Sequence, residues 1–338
     1  MKQSRTQLSS TPDNSQRRIR RPDVTVCIVN WNCRTLLEAC LCSLRAITQK
    51  MRLEIVVVDN ASTDGATDMV EARFPWVRLI RNTDNRGFAQ ANNQAAAVAR
   101  GRYIFFLNND TVVPHGTLRQ LFEYAEGHPE AGLIGPLLRD LTWRAQVSYR
   151  RRPTVGALLH RTGLFRWTRL FRRAYQRYRG RDDEFATTRR VEVLMGAALF
   201  VRRRLFVEAG GWDEDYTFGG EDIDLCSRIA RTHAVVYYPE VEVIHHGRVS
   251  SRLHAGYAYS NTLVGITRYL RKSGTPRPAL WIYKAALTLD APCAWLCHAG
   301  QYLWRLLRGQ RVKAGKSLLV LHGVSYFLTK GLRDLWRA

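Results

Sequence analysis

The chain has 338 residues, 46% of them hydrophobic and 10% aromatic, which excludes a disordered protein and suffices for one catalytic domain with an appendage. Lys and Arg number 52 against 29 acids, a formal charge of +23, so an anionic partner is expected: nucleic acid, anionic lipid or a phosphorylated substrate. The seven cysteines include no C-x-x-C pair and are odd in number, which points to a reducing compartment with buried thiols.

Residues 1–22 read as a basic, polar tail. No apolar signal core follows Met1 and Lys2, and no later stretch is long and uncharged enough to predict a membrane span, so a cytoplasmic protein is expected. After Pro22 the pattern becomes ordered. Residues 24–29 form a predicted strand that runs into Asn30-Trp31-Asn32, and Leu37, Cys40, Leu41 and Leu44 follow at helical spacing. A second strand over 54–58 ends in Asp59-Asn60-Ala61-Ser62-Thr63-Asp64-Gly65. A third is predicted over 76–80, ending in Arg81-Asn82. A helix of small residues runs from Phe88 to Ala99, and a fourth strand over 103–107 runs into Asn108-Asn109-Asp110-Thr111.

Strands alternating with helices at this rhythm predict an α/β fold with a mostly parallel central sheet. Near-continuous apolar strands predict helices on both faces. Asn and Asp make turns readily. Three such clusters on three strands also match the ligand crevice at the carboxyl ends of an open parallel sheet. The first turn holds no G-x-G-x-x-G and the chain no G-x-x-x-x-G-K-[ST], so dinucleotide and P-loop readings lack their fingerprints.

Residues 139–190 carry fifteen arginines against four acids, with Trp143, Tyr149, Phe165, Trp167, Phe171, Tyr175 and Tyr178 interleaved. That composition suits an RNA-facing surface, a membrane-facing one or a solvated insert. Core character returns over 191–201. Gly219 and Gly220 then precede Glu221, Asp222 and Asp224, which fall in the first turn of a predicted helix, where acids are favoured by the unpaired N–H groups whether or not they do chemistry. A strand over 241–244 ends in His245-His246-Gly247, and imidazole is a good ligand for divalent metals. From residue 271 to the end, twelve basic residues stand against Asp290 and Asp334, with large apolar residues at helical spacing. Two or three amphipathic helices on an anionic membrane surface are expected there; packing on the catalytic domain or a homo-oligomer contact are the alternatives.

Together these motifs resemble family 2 glycosyltransferases, and most of all their rhamnosyltransferase-like branch. The resemblance rests on Val29-Asn30-Trp31-Asn32, residues 56–65, Asn82-x-x-Asn85-Arg86-Gly87-Phe88-Ala89, Leu107-Asn108-Asn109-Asp110-Thr111, Gly220-Glu221-Asp222-Ile223-Asp224-Leu225-Cys226 and His245-His246-Gly247, and covers roughly residues 22–250. It implies a GT-A type, Rossmann-like fold with a nucleotide-sugar-binding half (23–138) and an acceptor-binding and catalytic half (191–270). The insert (139–190) and a basic helical, membrane-associating region (271–338) lie outside the distinctive motifs.

The resemblance also implies roles. The reaction inverts the sugar's anomeric centre in one displacement, with Mg²⁺ or Mn²⁺ on a D-x-D motif. That motif falls here on Asn108-Asn109-Asp110, so only Asp110 is a charged ligand. Asp110, with His246 or His245, is the expected metal set. Asp222 is the expected base for the acceptor hydroxyl, with Glu221 as runner-up. Asn30, Asn32, Asp59, Asn60, Asn85, Arg86, Asn108 and Asn109 are expected around the nucleotide-sugar, with Asp59 meeting a uracil or thymine ring or the ribose. Trp212, Asp213 and Asp224 are expected toward the acceptor. The expected donor is dTDP-L-rhamnose, with UDP-galactofuranose and UDP-GlcNAc as alternatives, and the expected acceptor is a polyprenyl-diphosphate-linked saccharide or cell-surface polysaccharide at the inner face of a bacterial-type cell membrane. A nucleic-acid-binding protein explains the charge but not the acidic residues, which would repel a phosphate backbone. A catalytically silent scaffold is the other rival.

Overall fold

The computed structural model describes residues 21–48, 51–179, 186–247 and 255–338; the expected basic tail lies, up to residue 20, outside the described residues. The first half alternates strand and helix: β1 (Val24–Asn30), α1 (Arg34–Thr48), β2 (Leu53–Asn60), α2 (Ala66–Arg73), β3 (Arg78–Asn82), α3 (Gly87–Val98), β4 (Tyr103–Asn108), β5 (Thr111–Val112), α4 (Thr117–Gly127) and β6 (Ala131–Arg139). The insert supplies β7 (Tyr149–Arg150), the short helices α5 (Val155–Leu159), α6 (Gly163–Arg166) and α7 (Arg172–Arg179), and β8 (Arg189–Arg190). Then come β9 (Val193–Leu194), β10 (Ala198–Arg202), α8 (Arg203–Glu208), α9 (Glu221–Ile229) and β11 (Ala234–His245).

Among the described residues, nine strands form one sheet, ordered β3-β2-β1-β4-β10-β6-β11-β5, with β8 on β11; β7 and β9 pair separately. β3, β2, β1 and β4 are parallel neighbours, as are β6 and β11, while β10 runs antiparallel between the two groups. The strands are apolar on both sides because both sides are covered. Val24, Val26 and Ile28 face a core shared with Leu37 and Leu41 of α1. Cys27 faces the other core, shared with Ala89, Ala91, Ala95 and Ala96 of α3 and with Trp212. The third strand begins at Arg78 rather than residue 76, and Trp76 instead sits exposed before it, its ring edge-on to Phe74.

The chain ends in α10 (Ala255–Lys272), α11 (Arg277–Leu307), α12 (Arg311–Tyr326), one π-helical turn (Phe327–Gly331) and α13 (Leu332–Arg337). These are not isolated amphipathic helices. They share a third core built on Val264, Leu280, Tyr283, Leu287, Val324 and Phe327, which also takes in Leu158 and Leu159 of the insert. α10 straddles the boundary expected after residue 270 and seats against the turn before α9. A Cβ on Gly265 would stand 1.7 Å from the Gly219 carbonyl oxygen, so only glycine permits this approach. Not all the thiols are buried: Cys42, Cys293 and Cys297 lie on outward faces of α1 and α11 and are exposed, whereas Cys27, Cys33, Cys40 and Cys226 are buried.

Candidate active site

Register places the polar residues together. Asn30 of β1 pairs with Asp59 of β2, and Val29 pairs with Asn108 of β4, so three strand ends open on one crevice. Asn30 is fully buried and bridges them. Its Nδ2 donates to Asp59 Oδ1 at 2.9 Å and to Ser62 Oγ at 3.2 Å, and its Oδ1 accepts from Asn109 Nδ2 at 2.8 Å. The other Asp59 oxygen accepts the Ser62 N–H at 2.8 Å, so the carboxylate is oriented from both sides. Asn32 adopts a left-handed backbone with φ 51° and holds the following loop, its own N–H on Ser62 Oγ and its Oδ1 accepting the Thr63 N–H.

A second amide network lies beside the first. Asn60 Nδ2 reaches Asn85 Oδ1 at 3.2 Å and the Gly87 carbonyl at 3.1 Å, and its Oδ1 accepts from Asn82 at 2.8 Å. Asn85 also accepts the Gly87 N–H, which fixes the entry into α3. Arg86 points outward and pairs with Asp84 at 3.4 Å. Asn108 is half-buried at the end of β4, its N–H on the Ala197 carbonyl and its carbonyl accepting from Thr111 Oγ1.

Asp110 is buried at 3% exposure, and β11 brings both histidines to it by pairing His245 with Thr111. The His246 N–H donates to the Asp110 carbonyl at 2.9 Å, while the His245 ring carries Nε2 to 3.4 Å from Asp110 Oδ1. Gln146 sets the tautomer. Its Nε2 donates to the His245 carbonyl at 2.7 Å, so its Oε1, 2.9 Å from His245 Nδ1, accepts the ring proton. With Nδ1 held by Gln146, the His245 ring aims Nε2 at an Asp110 carboxylate oxygen, and these two atoms would serve as a pair of donors to a cation. No group of three His, Cys, Asp or Glu side chains surrounds such a position among the described residues. A two-donor set completed by substrate phosphates is the arrangement Mg²⁺ commonly uses, so these residues fit the ion.

α9 supplies the remaining carboxylates. Asp222 Oδ1 accepts the Ile223 N–H at 2.9 Å, and Oδ2 lies 3.4 Å from Arg150 Nη2 of the insert. Gly196 lies alongside, where an added Cβ would stand 3.4 Å from Asp222 Cβ. Glu221 is buried, and its Oε2 has no hydrogen-bond partner among the described residues. Burial, then the neighbouring Asp222 charge, pushes its carboxyl up to about 8, so it keeps its proton near neutral pH. Tyr257 of α10 packs edge-on against Trp31 at 5.9 Å, joining the β1 loop to the C-terminal helices.

The residues expected toward the acceptor are placed differently from one another. Trp212 is buried at 1% exposure among Phe88, Phe106 and Phe206, and its backbone is clasped by Asn93. Asp213 pairs with Lys272 of α10. Asp224 pairs with Arg228 at 2.7 Å, and Arg228 in turn donates to the Ala209 carbonyl. Arg150 and Gln146 were not singled out from the sequence. One is among fifteen insert arginines and the other is an unmarked glutamine, and each gains its meaning only from a partner about seventy to a hundred residues away.

Comparison with known proteins agrees with this geometry. Residues 25–198 match the family model described as Glycosyl transferase family 2. The chain is 31% identical over 273 residues to the N-acetylglucosaminyl-diphospho-decaprenol L-rhamnosyltransferase of Mycobacterium tuberculosis, covering 75% of this chain and 86% of that protein. It is 28% identical over 245 residues to the O-antigen biosynthesis protein RfbC of Myxococcus xanthus, covering 69% of this chain and 18% of that one. Among solved structures, the mannosyltransferase PcManGT of Pyrobaculum calidifontis, in complex with GDP-Man and Mn²⁺, superposes with a TM-score of 0.51 at 22% identity, over 92% of this chain and 88% of that one. GalNAc-T7 with UDP, GalNAc and Mn²⁺ gives a TM-score of 0.55 at 19% identity, over 75% and 48%. The polar strand ends, the single aspartate after β4 and the acidic start of α9 thus sit on a GT-A scaffold, and the chain belongs to the family 2 glycosyltransferases.

Proposed function

We propose that this chain transfers L-rhamnose from dTDP-L-rhamnose, with inversion, to a polyprenyl-diphosphate-linked saccharide at the inner face of the cell membrane. The observation that carries the transferase chemistry is the facing of Asp110 and His245 Nε2 across 3.4 Å, a seat for a divalent cation beside the crevice of β1, β2 and β4. Support for the donor and acceptor comes from the mycobacterial relative's activity. Asp110 and His245, with His246 adjacent, would hold Mg²⁺ or Mn²⁺, which when bound supplies positive charge to the leaving diphosphate. Asp59, oriented by Asn30 and Ser62, accepts from the base or ribose of the nucleotide.

Asp222, held by Arg150, takes the proton of the acceptor hydroxyl as its oxygen attacks the anomeric carbon. The bond from that carbon to the diphosphate oxygen breaks on the opposite face, and the nucleoside diphosphate leaves with the electron pair. Glu221, holding its proton, does not compete for this role. The test is incubation of purified protein with Mn²⁺ or Mg²⁺, a synthetic polyprenyl-diphosphate saccharide and each of dTDP-L-rhamnose, UDP-galactofuranose and UDP-GlcNAc, with product read by mass. One added deoxyhexose, abolished by Asp222→Asn, is expected. Transfer only from a UDP-sugar would overturn the donor, and absence of any nucleotide binding would overturn the reading.

A further inference from the structure

We propose that the outward face of α11 and the adjoining insert dock this chain on an anionic bilayer, with the helix lying along the membrane. Ile282, Leu289, Leu296 and Leu303 recur every seven residues and so share one stripe of the helix. They are 56%, 65%, 66% and 59% exposed, and Trp281 and Leu307 extend the stripe at its ends. From Ile282 to Leu303 the helix rises roughly 30 Å. The two charges within that span lie off the stripe. Lys284 is buried with Nζ on the Trp336 carbonyl, and Asp290 accepts the Leu164 N–H at 3.1 Å. A continuous apolar face of this length marks an interaction surface. The opposite face of α11 packs in the third core, and no helix among the described residues is long and apolar enough to cross a membrane.

Charge selects the partner. Exposed Arg271 and Arg277 flank one end of the stripe, and exposed Arg308, Arg311, Lys313 and Lys316 flank the other. The insert helices α5 and α6 pack against α11. They bring Trp167, at 88% exposure, and the exposed Arg166, Arg169, Arg172 and Arg173 to the same region. Two copies meeting stripe to stripe would juxtapose like charges in either orientation, whereas paired leucine helices ordinarily carry complementary flanks. Anionic headgroups neutralise both ends, and tryptophan favours the interfacial depth. The purpose of this surface rests on the lipid-linked acceptor proposed above; its geometry does not.

The experiment is flotation of the full chain with phosphatidylcholine vesicles and with vesicles containing phosphatidylglycerol, for wild type and for the double variant Leu289→Gln/Leu296→Gln. Circular dichroism checks folding, calorimetry checks dTDP binding and size exclusion checks oligomeric state. Wild type is expected to bind the anionic vesicles, and the double variant to bind them about a hundredfold more weakly while keeping its fold and its dTDP affinity. No binding to anionic vesicles, or equal binding by wild type and variant, overturns the docking surface. So does a dimer that the variant dissociates without changing vesicle binding, which assigns the stripe to a second copy. Retained dTDP binding in any of these cases leaves the transferase reading intact, and absence of dTDP binding by wild type overturns the dTDP-sugar donor alone.

Discussion

Arg150 Nη2 lies 3.4 Å from Asp222 Oδ2, and the two side chains are 21% and 10% exposed. This contact joins the short strand β7 of the insert to the first turn of α9, so the basic insert reaches the centre of the site as well as the surface. Arg150 is therefore assigned the positioning of Asp222. Arg150→Met is expected to leave the carboxylate buried and unpaired, lowering stability by about 1–3 kcal/mol and kcat by roughly tenfold or more. Arg150→Lys restores part of both, read by urea unfolding and initial rates. Equal kcat for wild type and Arg150→Met would remove Arg150 from the mechanism.

Glu221 makes stability depend on pH. Its folded-state carboxyl sits near 8, above the ordinary value of 4.5, so between these limits the folded chain binds more protons than the unfolded one. Stability attributable to this group is therefore fully present below about pH 4.5 and is lost as pH rises through about 8. Thermal melts of wild type and Glu221→Gln are expected to converge near pH 5 and to separate by pH 8.5, with the glutamine variant the more stable. Parallel melting curves at all pH values would contradict a buried, protonated Glu221.

The two adjacent carboxylates are expected to behave oppositely in rate assays. Asp222→Asn removes the proton acceptor and is expected to lower kcat by about 10²–10⁴-fold. Glu221→Gln replaces one neutral group by another at pH 7 and is expected to keep kcat within about threefold of wild type. The reverse pattern would exchange their roles.

Metal affinity is expected to depend on Gln146, which touches no substrate in the proposed scheme. It fixes the tautomer and orientation of His245. Gln146→Ala is expected to weaken Mn²⁺ binding, titrated calorimetrically in the presence of dTDP, by about 10–100-fold. Asp110→Asn is expected to abolish it. Mn²⁺ binding unchanged in both variants would place the ion elsewhere.

The Gly265 contact predicts a sharp contrast between two glycines of the C-terminal helices. Gly265→Ala drives a methyl into the Gly219 carbonyl and is expected to cost about 3 kcal/mol or more. Gly315, inside α12 with nothing within 4 Å of an added Cβ, is expected to tolerate alanine and gain about 0.5–1 kcal/mol. Urea unfolding of both variants checks the pair.

What could be read in the chain follows the range of the interactions. The strand ends at Asn30, Asp59 and Asn108-Asn109-Asp110 were readable because a parallel sheet advertises itself by local apolar runs, and its carboxyl ends are where polar residues then gather. The pairing of His245 rather than His246 with the Asp110 carboxylate was not, because it depends on which residue of β11 lies opposite Thr111, a register set by the whole strand. Arg150 was hidden by its abundance, one arginine among fifteen, and composition describes a surface without naming the member that turns inward. Trp212 shows the converse. Its neighbours in sequence give no sign that Phe88, Phe106 and Phe206, all distant in the chain or across a turn, draw the ring expected toward the acceptor into the core.

Glycine against glycine at Gly265 and Gly219 leaves no side chain to compress between α10 and the turn that starts α9. The acidic turn and the helices that continue into α11 are therefore rigidly coupled. With α11 resting on a bilayer, the height of Asp222 above the lipid is a fixed length of the molecule. On the membrane seat and lipid-linked acceptor proposed above, that fixed length would set how far the acceptor hydroxyl must stand from the diphosphate that anchors it.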